Sequence, residues 1–105
     1  MKKYNEDFTT LPADVTNKIT EAVKELDCTP ILISRLTNHP DDSKLFVVIA
    51  QYDKEHPMYD KSYCVWEANT FGDQASLFYG HYGVSFLTAI KIVADKVRDL
   101  NKEEL

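Results

Sequence analysis

Apolar residues recur along this chain in two rhythms. Between Pro12 and about Leu26, Val15, Ile19, Ala22, Val23 and Leu26 fall at i, i+4, i+7, i+8 and i+11, one face of a helix. Asp14, Asn17, Lys18, Glu21, Lys24 and Glu25 fill the other positions, Pro12 suits the first turn, and the Thr29-Pro30 pair is expected to close the helix. The helical rhythm returns from about Ser85 to Leu100 as Phe86, Leu87, Ile90, Val93, Ala94, Val97 and Leu100, with Ser85 as the expected N-cap and Lys91–Asp95 as an i, i+4 pair. Between the two helices, four short runs read as strands: Ile31–Leu36, Leu45–Tyr52, Ser62–Asn69 and Ala75–Tyr82. The segments Thr37–Ser43, Lys54–Lys61 and Phe71–Gln74 join them, and Gly72 is the expected positive-φ residue of the last turn.

Leu45–Tyr52, LFVVIAQY, stands out because it is apolar without a break and is bounded by Lys44 and Asp53. A short run of that kind predicts an inner strand with both faces covered. The connections are short enough for a meander. The expected fold is therefore α+β in the order α-β-β-β-β-α, an antiparallel sheet with both helices packed on one face, two layers in all. Residues 1–105 suffice for one domain, with 1–10 and 101–105 expected as loose ends.

Alternation along the strands complicates that picture. Leu45, Val47 and Ile49 oppose Phe46, Val48, Ala50 and Tyr52; Cys64, Trp66 and Ala68 oppose Tyr63, Val65 and Glu67; Phe78 and Tyr82 oppose Leu77, Tyr79 and His81. Neither face is polar. If both helices cover one face, the other holds apolar side chains in water, and a patch of that kind usually marks an interaction site. A binding surface of Tyr63, Val65, Leu77, Tyr79 and His81 follows, covered by a protein partner or, most simply, by a second copy in a homodimer. The plainer alternative is that tyrosines and a folded-back N-terminus bearing Tyr4 and Phe8 shield this face.

Charge narrows the partners. The net charge is −5, with 12 Lys/Arg against 17 Asp/Glu and no basic stripe in either half. Phosphate backbones and anionic membranes both need clustered Lys/Arg, so neither nucleic acid nor a membrane surface is an expected partner. Dropping one strand, the helix–sheet–helix order resembles the double-stranded-RNA-binding domain. That family grips phosphates with a Lys-rich start to its second helix; here Gly83-Val84-Ser85-Phe86-Leu87-Thr88-Ala89 carries no basic residue, and no RNA-binding residue is transferred. Two cysteines without a CxxC spacing do not form a disulfide framework, and MKKYNEDFTTLP lacks the apolar stretch of a signal peptide. A cytoplasmic location with free thiols is the expectation.

Candidate chemistry is sparse. His81 lies in Tyr79-Gly80-His81-Tyr82-Gly83, just before a helix, and Glu67 on the neighbouring strand is the carboxylate it would pair with. These two are the only catalytic candidates, and a hydrogen-bonded packing role accounts for His81 more simply. Cys28, Cys64, His39, His56 and His81 show no metal-ligand spacing, and Asp41-Asp42 and Asp53 with Glu55 form no calcium loop, so no metal and no cofactor is expected. The composite expectation is a small soluble interaction protein without enzymatic activity. The alternative is a small enzyme or ligand-binding domain with a pocket near His81.

Overall fold

The computed structural model describes residues 11–36, 45–54 and 62–101. The loops expected over Thr37–Ser43 and most of Lys54–Lys61, with His39, His56, Asp41, Asp42 and Glu55, lie outside the described residues, as do both expected loose ends apart from Asn101. The elements are α1 (Ala13–Lys24), β1 (Cys28–Arg35), β2 (Leu45–Tyr52), β3 (Tyr63–Asn69), β4 (Ser76–Val84) and α2 (Phe86–Asn101). The strands form one antiparallel meander in the order β1-β2-β3-β4. The α-β-β-β-β-α order and the antiparallel sheet are those read from the sequence.

The helices, however, do not share a face. Ile19 and Val23 of α1 pack with Phe46, Val48, Ala50, Cys64, Trp66 and Ala68. Ala89 of α2, with Ile92, Val93 and Val97 beside it, packs with Leu36, Val47, Ile49 and Val65. Those two sets alternate along β2 and β3, so α1 and α2 lie on opposite sides of the sheet and the domain has three layers. The expectation of two layers with both helices on one face is corrected here. The cause is the sheet itself: Phe46, Val47, Val48, Ile49 and Ala50 are buried in succession, each at most 1% exposed. Burying one such large side chain stabilises by about 1.5–3 kcal/mol, and one helix per side lets both halves of the strand realise that gain.

Chain reversals at the sheet's margins set these positions. After α1, Asp27 adopts a left-handed conformation (φ 59) and β1 starts at once. The strand therefore begins at Cys28, three residues earlier than Ile31, and takes in the Thr29-Pro30 pair expected to be a helix stop. Pro30 is tolerated because β1 is an edge strand with a bulge at Ile31, where the register steps from Pro30↔Ala50 to Leu32↔Ile49. Lys24, Thr29 and Asp53 tie this corner together. Lys24 Nζ lies 3.1 Å from Thr29 Oγ1 and 3.2 Å from Asp53 Oδ2, the Thr29 hydroxyl donates to Asp53, and the Asp53 N–H donates to the Asp27 carbonyl at 2.9 Å. At the other margin Ser85 caps α2 as expected, its Oγ accepting from the Thr88 N–H at 3.1 Å. Gly72 does not take positive φ; the left-handed residues in and around β4 are Tyr79 (φ 53) and Gly83 (φ 65).

Two predictions follow from this arrangement. Ala89 is fully buried where α2 meets Val65 and Ile49. Ala89→Leu should lower unfolding free energy by about 1–3 kcal/mol in urea titration, through overpacking, while Ala94→Leu on the exposed side changes it by less than about 0.5 kcal/mol. The hydrogen bond from Thr29, then that from Lys24, hold the Asp53 carboxyl below its usual value. A depressed carboxylate adds stability that is present above the ordinary range and lost as pH falls through the folded-state value. Asp53→Asn should therefore remove part of the acid-side loss of stability below about pH 4, read as a shallower stability–pH slope.

Candidate interaction surface

β4 is where regular alternation fails. Its nine residues face the seven of β3, pairing Asn69↔Ser76, Ala68↔Leu77, Glu67↔Phe78, Val65↔His81 and Tyr63↔Val84. Twice β4 advances three residues where β3 advances two, which is a bulge each time. Tyr79 and Gly83, the left-handed residues, sit at these two irregularities. As a result Phe78 and His81 face α2, while Leu77 and Tyr82 face α1. The expected grouping of Phe78 with Tyr82, and of Leu77 with His81, is corrected by the first of these bulges.

Tyr82 shows what the bulge achieves. Its ring folds back over Gly80, so that a Cβ there would lie 2.5 Å from the Tyr82 hydroxyl. From that position it packs edge-on against Trp66 at 5.8 Å between centroids and accepts a hydrogen bond from Trp66 Nε1 at 3.0 Å. Trp66 is 2% exposed, so this phenol satisfies an indole N–H that the core cannot.

On the α2 side, Glu67 is engaged by Lys96 at 2.7 Å, both side chains being 17% exposed. Lys96 also lies 5.9 Å from the centre of the Tyr79 ring, which packs against Phe78. Glu67 and His81 are thus on neighbouring strands and the same face, as expected, but the carboxylate is committed to the lysine and His81, which is exposed, is opposite Val65. The proposed binding surface is not brought together either. Val65 is fully buried beneath α2, Tyr63 packs on Phe86 at 5.3 Å, Leu77 joins the opposite core, and Tyr79 and His81 alone are exposed.

A different apolar surface emerges. α2 makes its main contacts with β3 and β2. Leu32 pairs with Ile49 and Ile49 with Val65, the row above which Ala89 sits. Helix residues advance about 100° each, so Ile90 lies about 120° round the axis from Lys96. Since Lys96 points toward β4, Ile90 is on the flank facing β1, level with Leu32. Leu87 crowns the helix. On β1, Leu32 (40% exposed) pairs with Ile49 of the α2 side and Ile31 (47%) is the bulge residue; at the start of α2, Phe86 (42%), Leu87 (79%) and Ile90 (44%) are likewise left in water. The sequence pattern contained Leu87 and Ile90 but assigned them to the buried stripe; one helix cannot turn both its flank and its crest inward.

Cys28 and Cys64 are free and buried, with their sulfurs 3.9 Å apart. Among the described residues no three His, Cys, Asp or Glu side chains are grouped to hold a metal ion, and no helix is long and apolar enough to cross a membrane.

Removing the Tyr82 hydroxyl leaves a buried indole N–H unpaired, at a cost of about 1–3 kcal/mol. Tyr82→Phe should therefore destabilise by that amount in chemical unfolding. Gly80→Ala should cost at least as much, because its methyl expels the ring as well, and Trp66 emission in the native state should shift in both variants.

Comparison of the chain with family models, with curated proteins and with solved structures finds no match.

Proposed function

We propose that this chain is a small, acidic, cytoplasmic interaction protein without enzymatic activity, which self-associates through the shelf formed by Ile31, Leu32, Phe86, Leu87 and Ile90. One observation carries the reading. These five large apolar side chains are 40–79% exposed, although Ala89, Val65 and Ile49, which pack together between α2 and the sheet, are sealed from water. Exposed leucines scattered singly need no explanation; read as one surface, three residues at the start of α2 and two on β1 form a patch of the kind that marks an interaction site. An apolar patch can cover itself about a two-fold axis, each copy supplying the same residues. The shelf is small, which implies a weak dimer. Its residues differ from those expected at first, because the sheet face once assigned to the partner lies under α2.

A second reading, a ligand-binding or catalytic site near His81, has one observation in its favour. Tyr79, two residues before the exposed His81, adopts a left-handed conformation costly for a residue with a side chain, and such strain gathers at functional sites.

Sedimentation equilibrium tests the first reading. The wild-type chain should show reversible dimerisation with a dissociation constant of roughly 10 to 500 µM. Leu87→Glu should weaken it at least tenfold without changing the circular dichroism, since Leu87 contributes little to the core. A chain that stays monomeric to about 1 mM would refute self-association. His81→Ala should leave dimerisation unchanged; chemical shifts clustering on Tyr79, His81 and Lys96 during a small-molecule screen by NMR would favour the second reading instead.

A further inference from the structure

Cys28 and Cys64 meet although their strands are not neighbours. β2 runs between β1 and β3, with Cys28 opposite Tyr52 and Cys64 opposite Ala50. The two side chains converge over β2 on the α1 side, where the intervening residue is the small Ala50. The sulfurs are 3.9 Å apart, and both residues are at most 1% exposed. Each thiol also points at a main-chain carbonyl, Cys28 at Leu26 (3.4 Å) and Cys64 at Ala50 (3.7 Å). Burial pushes both thiols above the usual range, so neither is a nucleophile while the fold is closed.

The intact sheet does not permit these sulfurs to bond. A disulfide requires Cα atoms about 4.4–6.8 Å apart, whereas strands two places apart lie roughly 9–10 Å from one another. One strand has to move, and β1 is the one built to do so. Its first residues, Cys28, Thr29 and Pro30, lie on an edge between the left-handed Asp27 and the bulge at Ile31, and Pro30 has no N–H to give to the ladder. What holds that stretch down at the surface is the Lys24–Thr29–Asp53 cluster.

We infer that Cys28 and Cys64 are an oxidation-sensitive dithiol, closed as two packed thiols in the native sheet and convertible to an intramolecular disulfide only when the start of β1 lifts away from β2. The oxidant is a diffusible disulfide such as oxidised glutathione. The Cys28 thiolate, exposed first because it lies on the edge, attacks the oxidant's S–S bond and releases one glutathione. The Cys64 thiolate then attacks the Cys28 sulfur of the mixed disulfide and releases the second. Two protein S–H bonds and one glutathione S–S bond become one protein S–S bond and two glutathione thiols, and two electrons pass to the oxidant. The bond then holds β1 out of its native register, so it destabilises the fold, unlike the usual disulfide.

The full-length chain is incubated with excess oxidised glutathione, quenched by alkylation in denaturant and weighed intact. The expected product has lost two hydrogens and carries no glutathione. Its rate of formation should rise about fivefold or more in sub-denaturing urea and in Thr29→Val, which opens the surface cluster without touching the core. The oxidised chain should melt several degrees below the reduced one. Cys28→Ser should carry no intramolecular bond. The inference is overturned by a native chain that yields no such bond while the urea-unfolded chain does, by a stable glutathione adduct in its place, by a rate indifferent to urea and to Thr29→Val, or by an oxidised form that melts higher.

Discussion

A β-strand that is apolar on both faces has to be covered twice. β2 is such a strand, and five consecutive residues, Phe46 to Ala50, lose nearly all contact with water. The pleat sends alternate side chains in opposite directions, so no single layer of helices can bury them all. With two helices available, the stable division is one to each side: α1 over Phe46, Val48 and Ala50, α2 over Val47 and Ile49. The placement of nearly every other element follows. β1 and β3 complete the ladder of β2 on either side, and the chain enters and leaves the sheet at Asp27 and Gly83, left-handed residues that turn it sharply toward its helix.

Dividing the helices in this way leaves each face half covered. A helix is about 10 Å across and a four-stranded sheet nearly twice that. The remainder falls at the margins, which explains why the exposed large apolar residues lie on β1, β4 and α2, or, as Leu26 and Phe71, in chain reversals, and none on β2 or β3. The margins are also where the backbone is irregular. β1 has Pro30 and a bulge at Ile31; β4 has two bulges. Irregular edges resist strand-to-strand addition by other chains. The first bulge of β4 also sets His81 opposite Val65, on the same face as Glu67, but the carboxylate there is engaged by Lys96.

Local signals were legible wherever local chemistry decides structure. The bounds of β2 are those of the apolar run itself, Ser85 caps α2, and the four strands and two helices occur in the order that hydrophobic spacing indicates. Three features were not legible, each for a stated reason. The side on which a helix packs depends on how the chain leaves the sheet, and a left-handed aspartate is invisible in composition. The start of β1 was hidden by Thr29-Pro30, since proline signals a stop unless the strand is an edge with a bulge beside it. The first bulge of β4 moved His81 and Tyr82 to the face opposite the one that strict alternation assigns, and the second restored the alternation at Val84. One clue was present and weighed the wrong way: two apolar faces and two amphipathic helices already implied one helix each, without recourse to a second chain.

Small residues at the contact points set the distances between layers. Ala89 has no side chain beyond Cβ, and this lets α2 settle onto Val65 and Ile49. Gly80 leaves room for the Tyr82 ring to reach Trp66. Ala50 leaves the space over β2 into which Cys28 and Cys64 both reach. In each case a larger neighbour makes use of the space that the small residue leaves, and close packing forbids it from staying empty. The pairing of the two thiols thus belongs to the same principle as the seating of α2. A strand apolar on both faces draws a layer onto each side, and the positions where it is thinnest determine which side chains from elsewhere in the chain come to touch.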